Sequence, residues 1–312
     1  MALLLTGQWG AAEAARWLQV LQQAMPAEQW LIDAPRDAAE AAAIEMAVVA
    51  NPPPGRLQGL PNLRLIQSLW AGVDRLLADP TLPAGVPLAR MVDPAMNEAM
   101  AQTALWAVLA LHRGFFDVQA QQAQRLWRQP AQCRAAEWRV LVLGLGELGG
   151  RVAAALLSQG YTVEGWSRSP RQVPGVQCCS GAELVGALAR ADTVINLLPL
   201  TDQTRGFFDA QRLALFKPGA SLINLARGAH VIDADLLAAL DAGQLRRAVL
   251  DVFHQEPLAA EHPFWSHAGV TVLPHTAAQT DPRSAAAVVA ANLQALRAGR
   301  PLAHRVEAVR GY

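Results

Sequence analysis

The stretch RVLVLGLGELGGRVAAALL, residues 139–157, constrains this chain more than any other. An apolar run of strand length enters Gly144-x-Gly146-x-x-Gly149, and an amphipathic helical pattern leaves it. Three glycines at that spacing permit a tight turn, close approach of backbone to a pyrophosphate, and close packing of helix on strand. The helix start adds unpaired N–H groups and the positive end of a dipole, with Glu147 and Leu148 in its first turn. In a chain with 23 glycines the spacing alone is weak. The strand before it and the helix after it are what make it a dinucleotide-binding turn.

The surrounding sequence extends that turn into a sheet. Buried strands are expected at residues 139–143, 162–166, 193–198, 221–226, 248–252 and 270–273, with helices such as 147–158 and 234–242 between them. Near-continuous apolar strands alternating with helices imply a parallel sheet covered on both faces. An earlier block repeats the theme, with strands at 3–6, 46–50, 65–69 and 87–92, a helix over 11–25 and a helix start at 71–77. Asn51-Pro52-Pro53-Pro54-Gly55 excludes regular structure between them. Asp93-Pro94 precedes a buried helix from residue 96 to about 116. A final Ala-rich helix, 283–297, is placed to cross back to the first block. The 312 residues suit two domains. The expected fold class is α/β, with two Rossmann/flavodoxin-like domains, residues 1–96 plus 281–312 and residues 97–280.

Composition removes several function classes. A hydrophobic fraction of 52% and a charged fraction of 17% exclude a disordered chain. The 26 basic and 26 acidic side chains leave no electrostatic footprint for nucleic acid or an anionic membrane. No apolar run reaches the length of a membrane helix; residues 99–111 come nearest and contain Gln102 and Thr103. The opening MALLLTGQWG lacks a basic segment and reads as a strand rather than a signal peptide. Cys133, Cys178 and Cys179 make no disulfide framework and no metal-ligand spacing, so a reducing cytoplasm and no metal are expected. Lys217 is the only lysine, so phosphate and carboxylate recognition falls to arginine.

Arginine stands where it matters. After the strand YTVEGW, an NAD enzyme places Asp or Glu to take the adenine ribose 2′-hydroxyl. This chain has Ser167-Arg168-Ser169-Pro170-Arg171, a set suited to a 2′-phosphate; the competing reading is a solvated loop. In open parallel sheets ligands bind outside the carboxyl ends of the strands. Arg227, Glu256 and His275 each follow a different strand at that end. An arginine fork grips a carboxylate, a histidine exchanges a proton near neutral pH, and a glutamate on the other ring nitrogen orients it. Pro257 biases Glu256 to an extended backbone, so its carboxylate belongs to a loop. The other histidines, His112, His230, His254, His262, His267 and His304, are structural or surface by default.

GLGELG, INLLPLTDQTRG, INLARGAHVIDADLLAAL, VLDVFHQEPL and LPHTA occur in that order over residues 139–277 and resemble the D-isomer-specific 2-hydroxyacid dehydrogenases. WSRS, NLARG, DVFHQEPL and the terminal RGY extend the likeness to reductases of that family across nearly the whole chain. The resemblance implies catalytic Arg227, Glu256 and His275, and cofactor contacts from Leu198, Pro199, Thr204, Ala226 and Asp251. It implies a substrate-binding domain in the first block, an NADP(H)-binding domain in the second, and an active-site cleft between them. Ser68-Leu69-Trp70-Ala71-Gly72 resembles the loop whose backbone N–H groups hold the substrate carboxylate. Two positions depart from pattern: Trp70 replaces a small residue, and Ala50 stands where similar reductases carry tryptophan. Trp70 is then either a core side chain or a pocket wall that supplies the missing ring. The implied activity is NADPH-dependent reduction of glyoxylate to glycolate and hydroxypyruvate to D-glycerate by a homodimer. A different keto-acid range, or a non-catalytic nicotinamide sensor, remains the alternative.

Overall fold

A computed structural model of the protein describes residues 1–307, so the terminal Arg310-Gly311-Tyr312 lies outside the described residues. The chain divides into two compact units, Met1–Met96 with Thr280 onward, and Asn97–Gln279.

The first unit contains β1 (Ala2–Gly7), α1 (Ala11–Ala24), β2 (Gln29–Ile32), α2 (Ala38–Ala43), β3 (Ile44–Ala50), β4 (Leu65–Ser68), α3 (Asp74–Leu77) and β5 (Leu88–Ala89). Its sheet is wholly parallel in the order β2-β1-β3-β4-β5. Alternation along a strand sends successive side chains to opposite faces. Leu3, Leu5, Met46 and Val48 enter one core with Trp17 and Leu21 of α1. Leu4, Ala47 and Val49 enter another with Leu57 and Leu60. Both faces are covered, which is why these strands read as unbroken apolar runs. β2 is the half-exposed strand at the sheet's border, QWLI, and lacks that signature.

The second unit begins within α4 (Pro94–His112), followed by α5 (Phe115–Ala123), β6 (Arg139–Leu143), α6 (Glu147–Ser158), β7 (Thr162–Ser167), β8 (Gln177–Ser180), α7 (Leu184–Arg190) and β9 (Thr193–Asn196). Then come α8 (Ala210–Leu213), β10 (Ala220–Asn224), α9 (Asp233–Asp241), β11 (Leu245–Leu250) and β12 (Val270–Val272). The helix expected to run to residue 116 breaks at Gly114, whose φ of +69° is readily adopted by glycine. The parallel sheet has the order β12-β11-β10-β9-β6-β7-β8. Leu141 and Leu143 pack into one core and Val140 and Val142 into the other. Chain direction across the sheet reverses between β6 and β9, the switch point at which such sheets bind ligands.

The last helix, α10 (Pro282–Arg297), belongs to the first unit. Ala285, Ala286, Val289 and Leu293 join the core that holds Trp17 and Leu21. Polar bonds fix its position. Asn292 Nδ2 donates to buried Gln67 Oε1 at 2.7 Å, and Arg297 reaches Glu28 and buried Glu45, each at 2.6 Å.

Candidate active site

The glycine turn has the contacts its spacing implies. Gly144 has φ +95°, and a Cβ there would lie 2.7 Å from the Leu197 carbonyl oxygen. A Cβ on Gly149 would lie 1.8 Å from the Gly144 carbonyl oxygen, so that glycine sets the approach of α6 to β6. Gly146 is different, because a Cβ there would meet nothing within 4 Å. Its lack of side chain therefore serves no internal packing and keeps the helix start bare. Glu147 and Leu148 begin α6 directly after it.

At the end of β7, Ser167 Oγ donates to the Ser169 carbonyl at 2.7 Å and shapes the following bend. Arg168 reaches Gln203 Oε1 at 3.2 Å, and Arg171 donates to the Leu145 carbonyl at 3.2 Å, beside the glycine turn. Arg168, Ser169 and Arg171 are exposed. A bare helix start with two arginines at the neighbouring strand end fits a dinucleotide carrying an extra phosphate. On the other side of β6, Leu198 and Pro199 follow β9, and Thr204 Oγ1 donates to the Pro199 carbonyl at 2.7 Å, closing that turn.

Arg227 follows β10, and its Nη1 donates to the Ala226 carbonyl at 2.7 Å. Gly228 explains how this loop meets the next. A Cβ there would fall 1.9 Å from the Phe253 carbonyl carbon, so only glycine lets the Arg227 loop lie on the loop that carries Glu256. Glu256 uses both oxygens. Oε1 accepts the Phe253 N–H at 2.9 Å, and Oε2 accepts from His275 Nδ1 at 2.7 Å.

His275 sits in the left-handed region at φ +52°, uncommon for a residue with a side chain. Its N–H donates to the Asp251 carbonyl at 3.0 Å. Buried Asp251 also accepts the Thr276 and Ala277 N–H groups on Oδ1, at 2.7 and 3.0 Å. Asp251 thus holds the turn that presents the imidazole. With Nδ1 committed to Glu256 and 52% of the side chain exposed, Nε2 is the nitrogen left for chemistry.

The electrostatics follow. The hydrogen bond that His275 donates to Glu256 raises the His275 pKa above its ordinary value against the opposing effect of burial; Asp251 adds to the rise and Arg227 opposes it. Burial pushes the Glu256 carboxyl up, but its bonds to His275 and Phe253 outweigh that and leave it lowered. Burial raises the Asp251 carboxyl. The site therefore favours an imidazolium clamped by a carboxylate.

In the first unit, β1, β3 and β4 end side by side at Gly7, Ala50 and Ser68. Trp70 packs edge-on to Trp17, with ring centroids 6.1 Å apart, as a half-buried member of that core. Its N–H donates to Ser68 Oγ at 3.0 Å and its carbonyl accepts from Met91 N–H and Ser68 Oγ. That leaves the Ala71 and Gly72 N–H groups without a hydrogen bond among the described residues. The indole beside Ala50 belongs to Trp9. A Cβ on Gly7 would lie 2.8 Å from Ala50 Cβ and 2.9 Å from Trp9 Cε2. No sequence pattern marks Trp9, because only the pairing of β1 with β3 brings it there.

Comparison with known proteins agrees with these elements. Residues 105–277 match the family model described as D-isomer specific 2-hydroxyacid dehydrogenase, NAD binding domain. The chain is 43% identical over 305 residues to the glyoxylate/hydroxypyruvate reductase A of Serratia proteamaculans, covering 96% of each chain. The chain belongs to the D-isomer-specific 2-hydroxyacid dehydrogenase family. Two family structures share its fold throughout. A Xanthobacter autotrophicus enzyme, in complex with NADPH and MES, has TM-score 0.94 at 39% identity, covering 100% of this chain and 99% of that one. An NADPH-dependent glyoxylate/hydroxypyruvate reductase of Sinorhizobium meliloti, with NADP and sulfate, has TM-score 0.92 at 34% identity and the same coverage.

Proposed function

We propose that this dehydrogenase is an NADPH-dependent reductase of small 2-keto acids, converting glyoxylate to glycolate and hydroxypyruvate to D-glycerate. The observation that carries the reading is the 2.7 Å bond between His275 Nδ1 and Glu256 Oε2, at the same carboxyl end of the sheet as Arg227 and the glycine turn. When bound, NADPH supplies the hydride. His275, kept protonated by Glu256, delivers a proton from Nε2 to the carbonyl oxygen. Arg227 holds the carboxylate in a fork, and Trp70, Ala71 and Gly72 are the substrate-binding residues of the first unit. Gly144, Gly146, Glu147, Leu148 and Gly149 receive the pyrophosphate, and Ser167, Arg168, Ser169 and Arg171 the 2′-phosphate. Leu198, Pro199, Thr204, Ala226 and Asp251 would hold the nicotinamide side of the cofactor.

Three free cysteines suit a cytoplasmic enzyme. The exposed apolar side chains of Trp106, Phe115, Val118, Leu126 and Trp127, all within residues 106–127, suit burial in a homodimer. Light scattering at several concentrations reads that state. Trp70 in place of a small residue, with Trp9 beside Ala50, favours a second reading of broader keto-acid range. Initial rates with glyoxylate, hydroxypyruvate, pyruvate and longer keto acids, each with NADPH and NADH, test both. The highest kcat/KM is expected for glyoxylate and hydroxypyruvate with NADPH. Preference for NADH, or for a bulky keto acid, overturns it.

A further inference from the structure

Between the glycine turn and Arg227 lies a polar cluster that the proposed chemistry does not use. Asn196 ends β9, Asn224 ends β10, and the two are paired in register. His230 closes the short helical turn Gly228–His230 after Arg227. All three are fully buried, and unpaired polar atoms at such depth are costly, so their bonds must be mutually consistent.

The directions of those bonds follow from one backbone donor. Asn196 Oδ1 accepts the Leu198 N–H at 3.2 Å, which assigns the amide and leaves Nδ2 as the donor. That NH2 group has two hydrogens. It donates to Asn224 Oδ1 at 2.9 Å and faces His230 Nδ1 at 3.0 Å. Nδ1 must therefore accept, the ring proton is on Nε2, and Nε2 donates to the Pro199 carbonyl at 3.3 Å. Asn224 Oδ1 also accepts the Ala226 N–H at 3.3 Å, and its Nδ2 donates to the Arg227 carbonyl at 3.0 Å. The His230 N–H closes the ring on that same carbonyl at 3.3 Å.

We propose that His230 is a positioning residue which, as the neutral Nε2–H tautomer, locks the Arg227 loop to the Leu198–Pro199 turn through Asn196 and Asn224. The lock sets where the Arg227 backbone leaves β10 and where the turn after β9 lies, so it couples the carboxylate fork to the cofactor side. It rests on the roles proposed above for Arg227 and for Leu198 and Pro199. A reversed tautomer would set two donors against each other at Nδ1 and two acceptors at Pro199, and an imidazolium would repel the Asn196 amide.

The test uses the full-length protein. His230→Phe keeps ring volume and removes both nitrogens; His230→Gln restores an acceptor and a donor on one side chain. The expected result for His230→Phe is a rise of about tenfold in KM for glyoxylate and in the NADPH Kd measured by fluorescence without keto acid, from the loss of one buried link. His230→Gln is expected to recover most of both. A variant that melts earlier but keeps KM and Kd overturns the proposal in favour of plain stability. Should His230→Phe fail to fold, the wild-type ring decides. Histidine-selective 15N NMR at neutral pH, with the His230 ring assigned as the signal pair lost in His230→Gln, is expected to give His230 with Nε2 protonated and Nδ1 bare, and an Nδ1–H or doubly protonated His230 overturns the lock. If the wild type does not reduce glyoxylate at all, the proposed function fails, and the Kd and tautomer measurements still judge the lock.

Discussion

Replacing Glu256 by glutamine isolates what the carboxylate does for His275. The amide keeps the shape and one oxygen that can still accept from Nδ1–H, but it carries no charge, and its NH2 group cannot accept the Phe253 N–H that lies 2.9 Å from Oε1 in the wild type. A hydrogen bond to a charged acceptor contributes about 1.5–3 kcal/mol and a neutral one about 0.5–1.5, a difference of about 1–1.5 kcal/mol. The side chains are 52% and 27% exposed, so solvent screening keeps the effect in that range, well below that of a dry pair. That difference corresponds to about a five- to tenfold loss of imidazolium, and of kcat/KM, on the alkaline side. The sign is fixed by the reaction. Reduction needs protonated His275, whose pKa Glu256 raises, so the alkaline limb of Glu256→Gln moves to lower pH. At acid pH both enzymes carry the proton and the rates converge. Initial NADPH oxidation with glyoxylate from about pH 5 to about pH 9 reads this directly. Superimposed profiles, or a loss that is the same at every pH, refute the assignment of Glu256 as the group that holds the proton on His275.

Other expected outcomes are narrower. His275→Gln lowers kcat by at least about 100-fold in the same assay while leaving the NADPH Kd unchanged. Gly146→Ala, whose new methyl meets nothing within 4 Å, keeps the wild-type Tm but raises the NADPH Kd at least about tenfold in a fluorescence titration. Gly149→Ala, whose Cβ would lie 1.8 Å from the Gly144 carbonyl oxygen, loses about 3 kcal/mol of stability in urea denaturation. Asp281→Ala removes the cap of α10, where Oδ1 accepts the Arg283 N–H at 2.9 Å, and costs about 1 kcal/mol in the same measurement. Hydrogen bonds from Arg283 lower the Asp281 pKa to about 2. The cap's contribution is therefore full above the unfolded carboxyl's pKa of about 4 and is lost as pH falls toward 2.

What sequence reveals here depends on how the information is stored. The central strands are legible because both faces are covered: Leu3, Leu4 and Leu5 are all buried, and so are residues 140–143. β2 and β8 are not, since QWLI and QCCS border their sheets, half-exposed, and carry no apolar period. Arg227, Glu256 and His275 are legible because each stands just past an apolar run in a parallel sheet, where the fold itself collects ligands. Their mutual bonding is less so, because it needs Gly228 to press one loop onto another. The Trp70 N–H, expected to serve the substrate, is taken by Ser68 Oγ, a local side-chain bond that no spacing announces. His230 reads as an ordinary structural histidine because its partners Asn196 and Asn224 come from two other strand ends.

The reaction itself is read most directly from its product. Purified protein is given hydroxypyruvate and NADPH, cofactor consumption is followed, and the product is resolved by a chiral separation. One D-glycerate is expected for each NADPH consumed. Absence of consumption, or formation of the L-isomer, contradicts the proposed function.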